Sequence, residues 1–278
     1  MTALADALRS GRLSDRVWLY SNYHCNLRCT YCLTESAPAV PRRELGGERM
    51  VALGREAREL GFGALGVTGG EPFLLEYMPA LVGRLADELP TLVLSNGTVF
   101  NARRLRQIEA LAGKPVALQI SLDRPDPEPN DVMRGPENFA RVVAAVPELV
   151  RRGIHVRIAT TLADPDAADH DEMARLCELH RALGVPDEDH VVRPIVRRGR
   201  AQINELGVAA GVGELDPELT ITADGAFYSP FAPTVAGGRL DTDLLVTRAI
   251  QPLATPAEAL ARIVAGRSPG DDASLGIR

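Results

Sequence analysis

Residues 64–95 read ALGVTGGEPFLLEYMPALVGRLADELPTLVLS, and this stretch decides the fold. It opens on a short apolar run at 64–67, turns through Gly69-Gly70-Glu71-Pro72, continues as a helical pattern over 78–89 and closes on a second apolar run at 92–95. A strand, a helix and a strand in this order form a unit whose strands lie parallel and are joined by a right-handed crossover. Working outward, the unit recurs. Further β-like runs stand at 17–20, 117–122, 155–161 and 191–195, and helical patterns at 48–60, 102–111, 139–152 and 171–183. Gly61, Gly153 and Gly184 close three of these helices, as a residue tolerant of the left-handed conformation does. Six units are too few for a closed eight-stranded barrel, so the class is α/β, either an open doubly wound sheet or a partial barrel.

Both architectures build their site from the loops that leave the C-terminal ends of the strands. The unusual residues fall in those loops. Cysteines follow the first strand, Gly69-Gly70-Glu71-Pro72 the second, Asn96-Gly97 the third, Asp123 the fourth and Arg197-Arg198-Gly199-Arg200 the sixth. From about residue 201 the pattern changes to scattered glycines, then a β-run at 219–222, an Asp224-Gly225 turn and a second run at 226–229, which together signal a hairpin. A helical stretch at 256–264 follows, and the last dozen residues read as a frayed tail. The Pro-rich 125–129 reads as a rigid connector. The expected division is a main region, 1–200, and a small C-terminal α+β extension, 201–278.

Composition excludes several classes. With 45% hydrophobic and 24% charged residues and no apolar run of membrane-spanning length, the chain reads as a globular protein with no membrane role. Its first residues lack the apolar core of a secretory signal, so the expected location is cytoplasmic. A net charge of −6 argues against nucleic acid as a partner. Three of the four cysteines crowd into Cys25-Asn-Leu-Arg-Cys29-Thr-Tyr31-Cys32, which is no disulfide framework and points to a metal. Thiolates suit an iron–sulfur cluster, whose four irons ask for a fourth ligand from elsewhere. Structural zinc is the other reading, with His24 as the available fourth ligand, although His24 adjoins Cys25 and the three-then-two spacing differs from paired zinc knuckles.

The C-x-x-x-C-x-aromatic-C pattern resembles the signature of the radical S-adenosylmethionine (SAM) superfamily. The resemblance runs from about 17 to 201 and includes Thr68-Gly69-Gly70-Glu71-Pro72, Ser95-Asn96-Gly97, Ser121-Leu122-Asp123 and Arg134. It implies a partial (βα)6 barrel, one 4Fe-4S cluster held by Cys25, Cys29 and Cys32, and SAM as the ligand of the remaining iron. It also implies SAM contacts at Tyr31, Gly69, Gly70, Glu71, Ser95, Asn96, Ser121 and Arg134. The reaction it implies is reductive cleavage of SAM to a 5′-deoxyadenosyl radical, with electrons from an external donor such as flavodoxin or ferredoxin, followed by hydrogen abstraction from the substrate.

Asp131-x-x-Arg134-Gly135 and Gly199-Arg200-Ala201 make the chain similar to the subgroup with a C-terminal SPASM or twitch extension. That extension carries auxiliary-cluster cysteines in the family, and here Ser229-Pro230 stands instead, with no cysteine after Cys177. One cluster and a redox-neutral outcome are therefore expected. Only about sixteen residues precede the first strand, which leaves no room for a leader-peptide domain and favours a small-molecule substrate. A peptide (RiPP) maturase of the same superfamily and a non-catalytic metal-binding protein are the alternatives. Arg197-Arg198-Gly199-Arg200 reads equally as an anion grip or a solvated loop. Cys177 reads as a packing residue, and His155, His170, His180 and His190 receive no role. Tyr23, His24 and Asp123 border the expected cavity.

Overall fold

The computed structural model describes residues 2–163, 169–231, 233–236 and 238–266. The frayed tail expected for the last dozen residues lies outside them. A short helix, α1 (Ala3–Arg9), leads into six strand–helix units. They run β1 (Arg16–Tyr20), α2 (Gly47–Glu59), β2 (Ala64–Thr68), α3 (Met78–Ala86), β3 (Thr91–Ser95), α4 (Ala102–Ile108) and β4 (Val116–Ser121). After β4 come α5 (Pro127–Arg134), α6 (Asn138–Arg151), β5 (His155–Leu162), α7 (His170–Ala182) and β6 (His190–Pro194). The extension adds α8 (Arg200–Ile203), β7 (Thr220–Thr222), β8 (Gly225–Phe227), β9 (Val235–Ala236), β10 (Arg239–Leu240), β11 (Leu245–Thr247) and α9 (Ala254–Val264).

Strands β1 to β6 pair in sequence order and all in parallel. Such strands are covered on both faces, which is why they read as continuous apolar runs. Val17, Trp18 and Leu19 are fully buried, as are Leu65, Val67, Val93, Leu118 and Ile120. Among the described residues the main sheet has nine strands in the order β11-β8-β7-β1-β2-β3-β4-β5-β6, so β6 and β11 are free edges and no hydrogen bonds close the barrel. This is the expected α/β partial barrel.

The extension is continuous with that sheet. Its Asp224-Gly225 hairpin forms as the sequence signals, with β7 and β8 antiparallel, and β7 then joins β1 in parallel at Trp18 and Leu19. The β9–β10 pair stands apart, and α9 packs on α1. A buried hydrogen bond fastens the join: the Trp18 indole Nε1–H donates to Glu218 Oε2 at 2.7 Å. Replacing Glu218 with Leu leaves that donor buried without this acceptor, so the urea midpoint should fall by the equivalent of about 1–3 kcal/mol.

One expectation is corrected. The proline-rich segment at 125–129 is the start of helix α5 rather than a connector, because Pro127 occupies the first turn, where a missing N–H costs nothing. No helix among the described residues is long and apolar enough to cross a membrane.

Candidate active site

The three cysteines lie in the long loop between β1 and α2. Cys25 is buried and Cys29 and Cys32 are partly exposed. All three line one cavity of about 160 Å³ together with Gly69, Gly70, Ser95, Asn96, Ser121 and Arg134. Tyr31 faces the same space. Thus every implied contact except Glu71 borders the cavity that holds the thiols. Burial pushes the Cys25 thiol up to about 12 and the Cys29 thiol up to about 11. Free, these two are neutral, and a metal must displace their protons to bind.

Other residues hold that loop in place. Asn96 Nδ2 donates to Cys25 Sγ at 3.6 Å and to Asn26 Oδ1 at 3.0 Å, so it aims one thiol as well as lining the cavity. Gly70 N–H donates to Asn22 O at 2.8 Å and Glu71 N–H to His24 O at 2.9 Å, which carries the β1–β2 pairing on into the loops. Only glycine fits here, since a Cβ on Gly70 would stand 2.0 Å from His24 O. His24 Nδ1 lies 2.9 Å from the Val40 carbonyl and so donates there. That removes Nδ1 as the fourth ligand the zinc reading needs. Among the described residues no set of three or more His, Cys, Asp or Glu side chains is grouped to hold a single metal ion.

The arginine-rich loop after β6 proves to be a brace. Arg200, buried, donates from Nη1 to Cys29 O at 2.6 Å and from Nη2 to Ser36 O at 3.1 Å. Its own N–H reaches Cys32 O at 2.9 Å. Gly199, at φ +54°, packs so closely that a Cβ would meet Leu33 O at 1.9 Å. Arg197 donates to Gly207 O, and Arg198 pairs with Asp241 and Asp243. All three guanidiniums are bonded within the chain, which accounts for the loop without an anion.

Glu71 faces inward and is fully buried. Its Oε1 accepts from Phe73 N–H at 3.0 Å and its Oε2 from Asn96 N–H at 2.7 Å, while the Ser95 hydroxyl donates to the carboxylate at 3.0 Å. It therefore ties the Gly69-Gly70 loop to the Ser95-Asn96 loop. Burial raises its pKa from 4.5 to about 7, against the pull of those hydrogen bonds. A raised carboxyl pKa means that the folded state holds the proton more tightly than the unfolded one. Its contribution to stability is full below about 4.5 and is lost as pH rises through about 7. Thermal stability should fall across that window, and Glu71→Gln should flatten the fall in a pH series of melting curves.

Asp123, almost fully buried, uses both oxygens internally. Oδ2 accepts from the Tyr31 hydroxyl at 2.5 Å and from Arg134 Nη1 at 3.1 Å, and Oδ1 from Thr161 N–H at 3.0 Å. It positions Tyr31 and Arg134. Burial holds the Tyr31 phenol well above its ordinary pKa, so it remains a donor. Arg134 Nε is buried with no hydrogen-bond partner, at the wall of the thiol cavity. An orphaned guanidinium N–H beside Ser121 and three thiols fits a carboxylate-bearing ligand such as SAM next to a cluster.

Tyr23 is buried beside Tyr20, with ring centroids 5.9 Å apart, and does not line the thiol cavity it was expected to border. Cys177 Sγ lies 3.7 Å from His190 Nδ1 on the outer helix layer. Thr160 gives its hydroxyl proton to Leu122 O, so His190 Nε2 donates to Thr160 at 2.9 Å and Nδ1 is left as the acceptor facing Cys177. This cluster packs α7 on the sheet, as expected. Sequence reasoning missed Thr161 and Arg193, which line the cavity from β5 and β6. Their position at strand ends was the available signal.

Three thiols from one loop are thus gathered with glycines and an arginine at the C-terminal ends of the parallel strands of an α/β partial barrel. The chain belongs to the radical SAM superfamily: the family model of that description matches residues 19–177, more than half of the chain. It is 31% identical over 183 residues to a GTP 3′,8-cyclase of Chlorobaculum tepidum, covering 62% of this chain and 52% of that one. The chain thus spans about half the length of the curated relatives it matches. Its fold is similar to Streptococcus suis SuiB bound to precursor peptide SuiA, at TM-score 0.61 and 14% identity, covering 77% of this chain and 46% of that one. It is also similar to anSMEcpe with bound AdoMet, at TM-score 0.59 and 12% identity, over 93% of this chain and 82% of that one. The protein is a radical SAM enzyme, of a family that uses a 4Fe-4S cluster and SAM.

Proposed function

We propose that this chain cleaves SAM at one 4Fe-4S cluster held by Cys25, Cys29 and Cys32 and directs the resulting radical at a small molecule, with a redox-neutral outcome. One observation carries the reading: a single cavity is lined by the three thiols, the Gly69-Gly70 loop, Ser95, Asn96, Ser121 and the orphaned Arg134 Nε. When bound, the cluster and SAM supply a 5′-deoxyadenosyl radical, which becomes 5′-deoxyadenosine on taking a hydrogen atom from the substrate. The chain's own residues bind and orient. Arg134 and Ser121 receive the SAM carboxylate, and the Gly69-Gly70 backbone approaches its amino group. Asn96 and the Arg200 brace hold the thiols, while Glu71 sets the two loops that form the cavity's edge. Flavodoxin or ferredoxin supplies the electron.

A small molecule is favoured because the sequence relatives described above are named for a nucleotide substrate, whereas the peptide-bound neighbour shares the fold alone. The absence of cysteines after Cys177 supports a single cluster and hence an outcome that removes no electrons from the substrate. Fractions of a fully deuterated cell extract test the reading. Deuterium should enter 5′-deoxyadenosine with the small-molecule fraction, and transfer from the peptide fraction instead would establish the maturase alternative.

A further inference from the structure

A second cavity, also about 160 Å³, adjoins the thiol cavity and runs towards the C-terminal extension, where Pro230 and Phe231 form part of its wall. Tyr31, Cys32, Gly69, Thr161 and Arg193 line both spaces, whereas Ser121 and Arg134 line only the thiol side. Arg193 is the one arginine common to the two. Its Nη1 is buried without a hydrogen-bond partner, and its guanidinium makes no hydrogen bond or ion pair with any described residue. Burial lowers its pKa from the ordinary value of 12.5, but an arginine stays charged in a protein. The acid that acts on it electrostatically is Asp123, whose oxygens already serve Tyr31, Arg134 and Thr161. Arg193 is half-buried rather than sealed off, but its dry Nη1 is left without an acceptor in the wall shared by the two cavities.

We propose that Arg193 binds a carboxylate of the substrate, on the side of the cavity that faces Pro230 and Phe231. The inference rests on the radical-enzyme reading for calling that ligand a substrate. A carboxylate fits because a single guanidinium binds it with two parallel hydrogen bonds. A polyphosphate would ask for several cations, and those nearby are taken: Arg197 by Gly207 O, Arg198 by Asp241 and Asp243, and Arg200 by Cys29 O and Ser36 O. The SAM carboxylate is provided for by Arg134 Nε and Ser121 on the other side, so Arg193 serves a different molecule. The substrate class is therefore a small organic acid or amino-acid derivative, unlike the nucleoside triphosphate in the name of the cyclase relatives.

Calorimetric titration of the full chain, before and after iron–sulfur reconstitution and with and without saturating SAM, tests this. The probes are N-acetylalanine, its neutral amide and tripolyphosphate, and the variants are Arg193→Gln and Arg193→Lys. N-acetylalanine should bind saturably and its amide at least about tenfold more weakly. Arg193→Gln should lose a similar factor for the acid while keeping SAM binding, Arg193→Lys should fall between, and SAM should leave the acid's affinity unchanged. No saturable acid binding, equal binding of the amide or an indifferent Arg193→Gln would overturn the proposal. Competition by SAM would assign Arg193 to the cofactor, and tighter tripolyphosphate binding that needs Arg193 would assign it to a polyanion, each contrary to the proposal. Failure to assemble a cluster strikes the radical reading alone, because titration of the protein before reconstitution still reports on Arg193.

Discussion

Replacing Cys29 with alanine is expected to abolish cluster assembly and, with it, all formation of 5′-deoxyadenosine. Three cysteines leave no spare ligand among the thiols, and the remaining cysteine, Cys177, lies on the outer helix layer beside His190. Two thiolates cannot hold a four-iron cluster that uses one corner for SAM. The loop itself should stay folded, since the thiol makes one long contact, to Arg134 O at 3.6 Å, and the shorter anchors do not pass through it. Thr30 N–H reaches Met133 O at 2.8 Å, Asn204 Nδ2 reaches Thr30 O at 2.7 Å, and Arg200 clamps Cys29 O and Ser36 O. Iron content and visible absorbance after anaerobic reconstitution should drop to background while far-ultraviolet circular dichroism is retained.

The second large effect is expected at Arg134. Its Nη1 pairs with Asp123 at 3.1 Å, and both side chains are almost wholly out of solvent. Arg134→Leu leaves the Asp123 carboxylate buried beside Tyr31 without its counter-charge, a change that costs about 3–5 kcal/mol when a buried pair loses one partner. The same substitution removes the orphaned Nε assigned to the SAM carboxylate. The two effects separate in a double variant, Asp123→Leu with Arg134→Leu. Urea unfolding should show part of the lost stability regained, because no unpaired charge remains, while the Tyr31 hydroxyl and Thr161 N–H lose the acceptor that Asp123 gave them. Equilibrium dialysis should still show SAM binding lost.

The six strand–helix units were legible because parallel strands covered on both faces are apolar throughout, and because the loops after them carry residues no core would choose. The hairpin at Asp224-Gly225 was legible by the same local logic, but the pairing of β7 with β1 was not. Three residues carry no periodicity, and their partner lies about two hundred positions away, at Trp18 and Leu19. Helix α5 hid behind Pro127 and Pro129, whose presence usually argues for a connector. The cavity's membership could be read from glycines and cysteines, yet the division of labour within it could not. Arg200 and Glu71 act on backbone groups that only tertiary structure brings near, so sequence leaves an anion grip and a solvated loop equally open for one and implies a ligand contact for the other. Arg193 stands inside a short β-run, where nothing local distinguishes a cavity-facing arginine from a solvated one.

The most direct measurement of the central claim is anaerobic. The full chain is reconstituted with iron and sulfide, reduced, supplied with SAM and assayed for 5′-deoxyadenosine beside a Cys25/Cys29/Cys32→Ala variant. The expected result is product from the intact chain and none from the variant. A reduced, cluster-loaded, SAM-bound chain that makes no product, or equal product from both proteins, would contradict it.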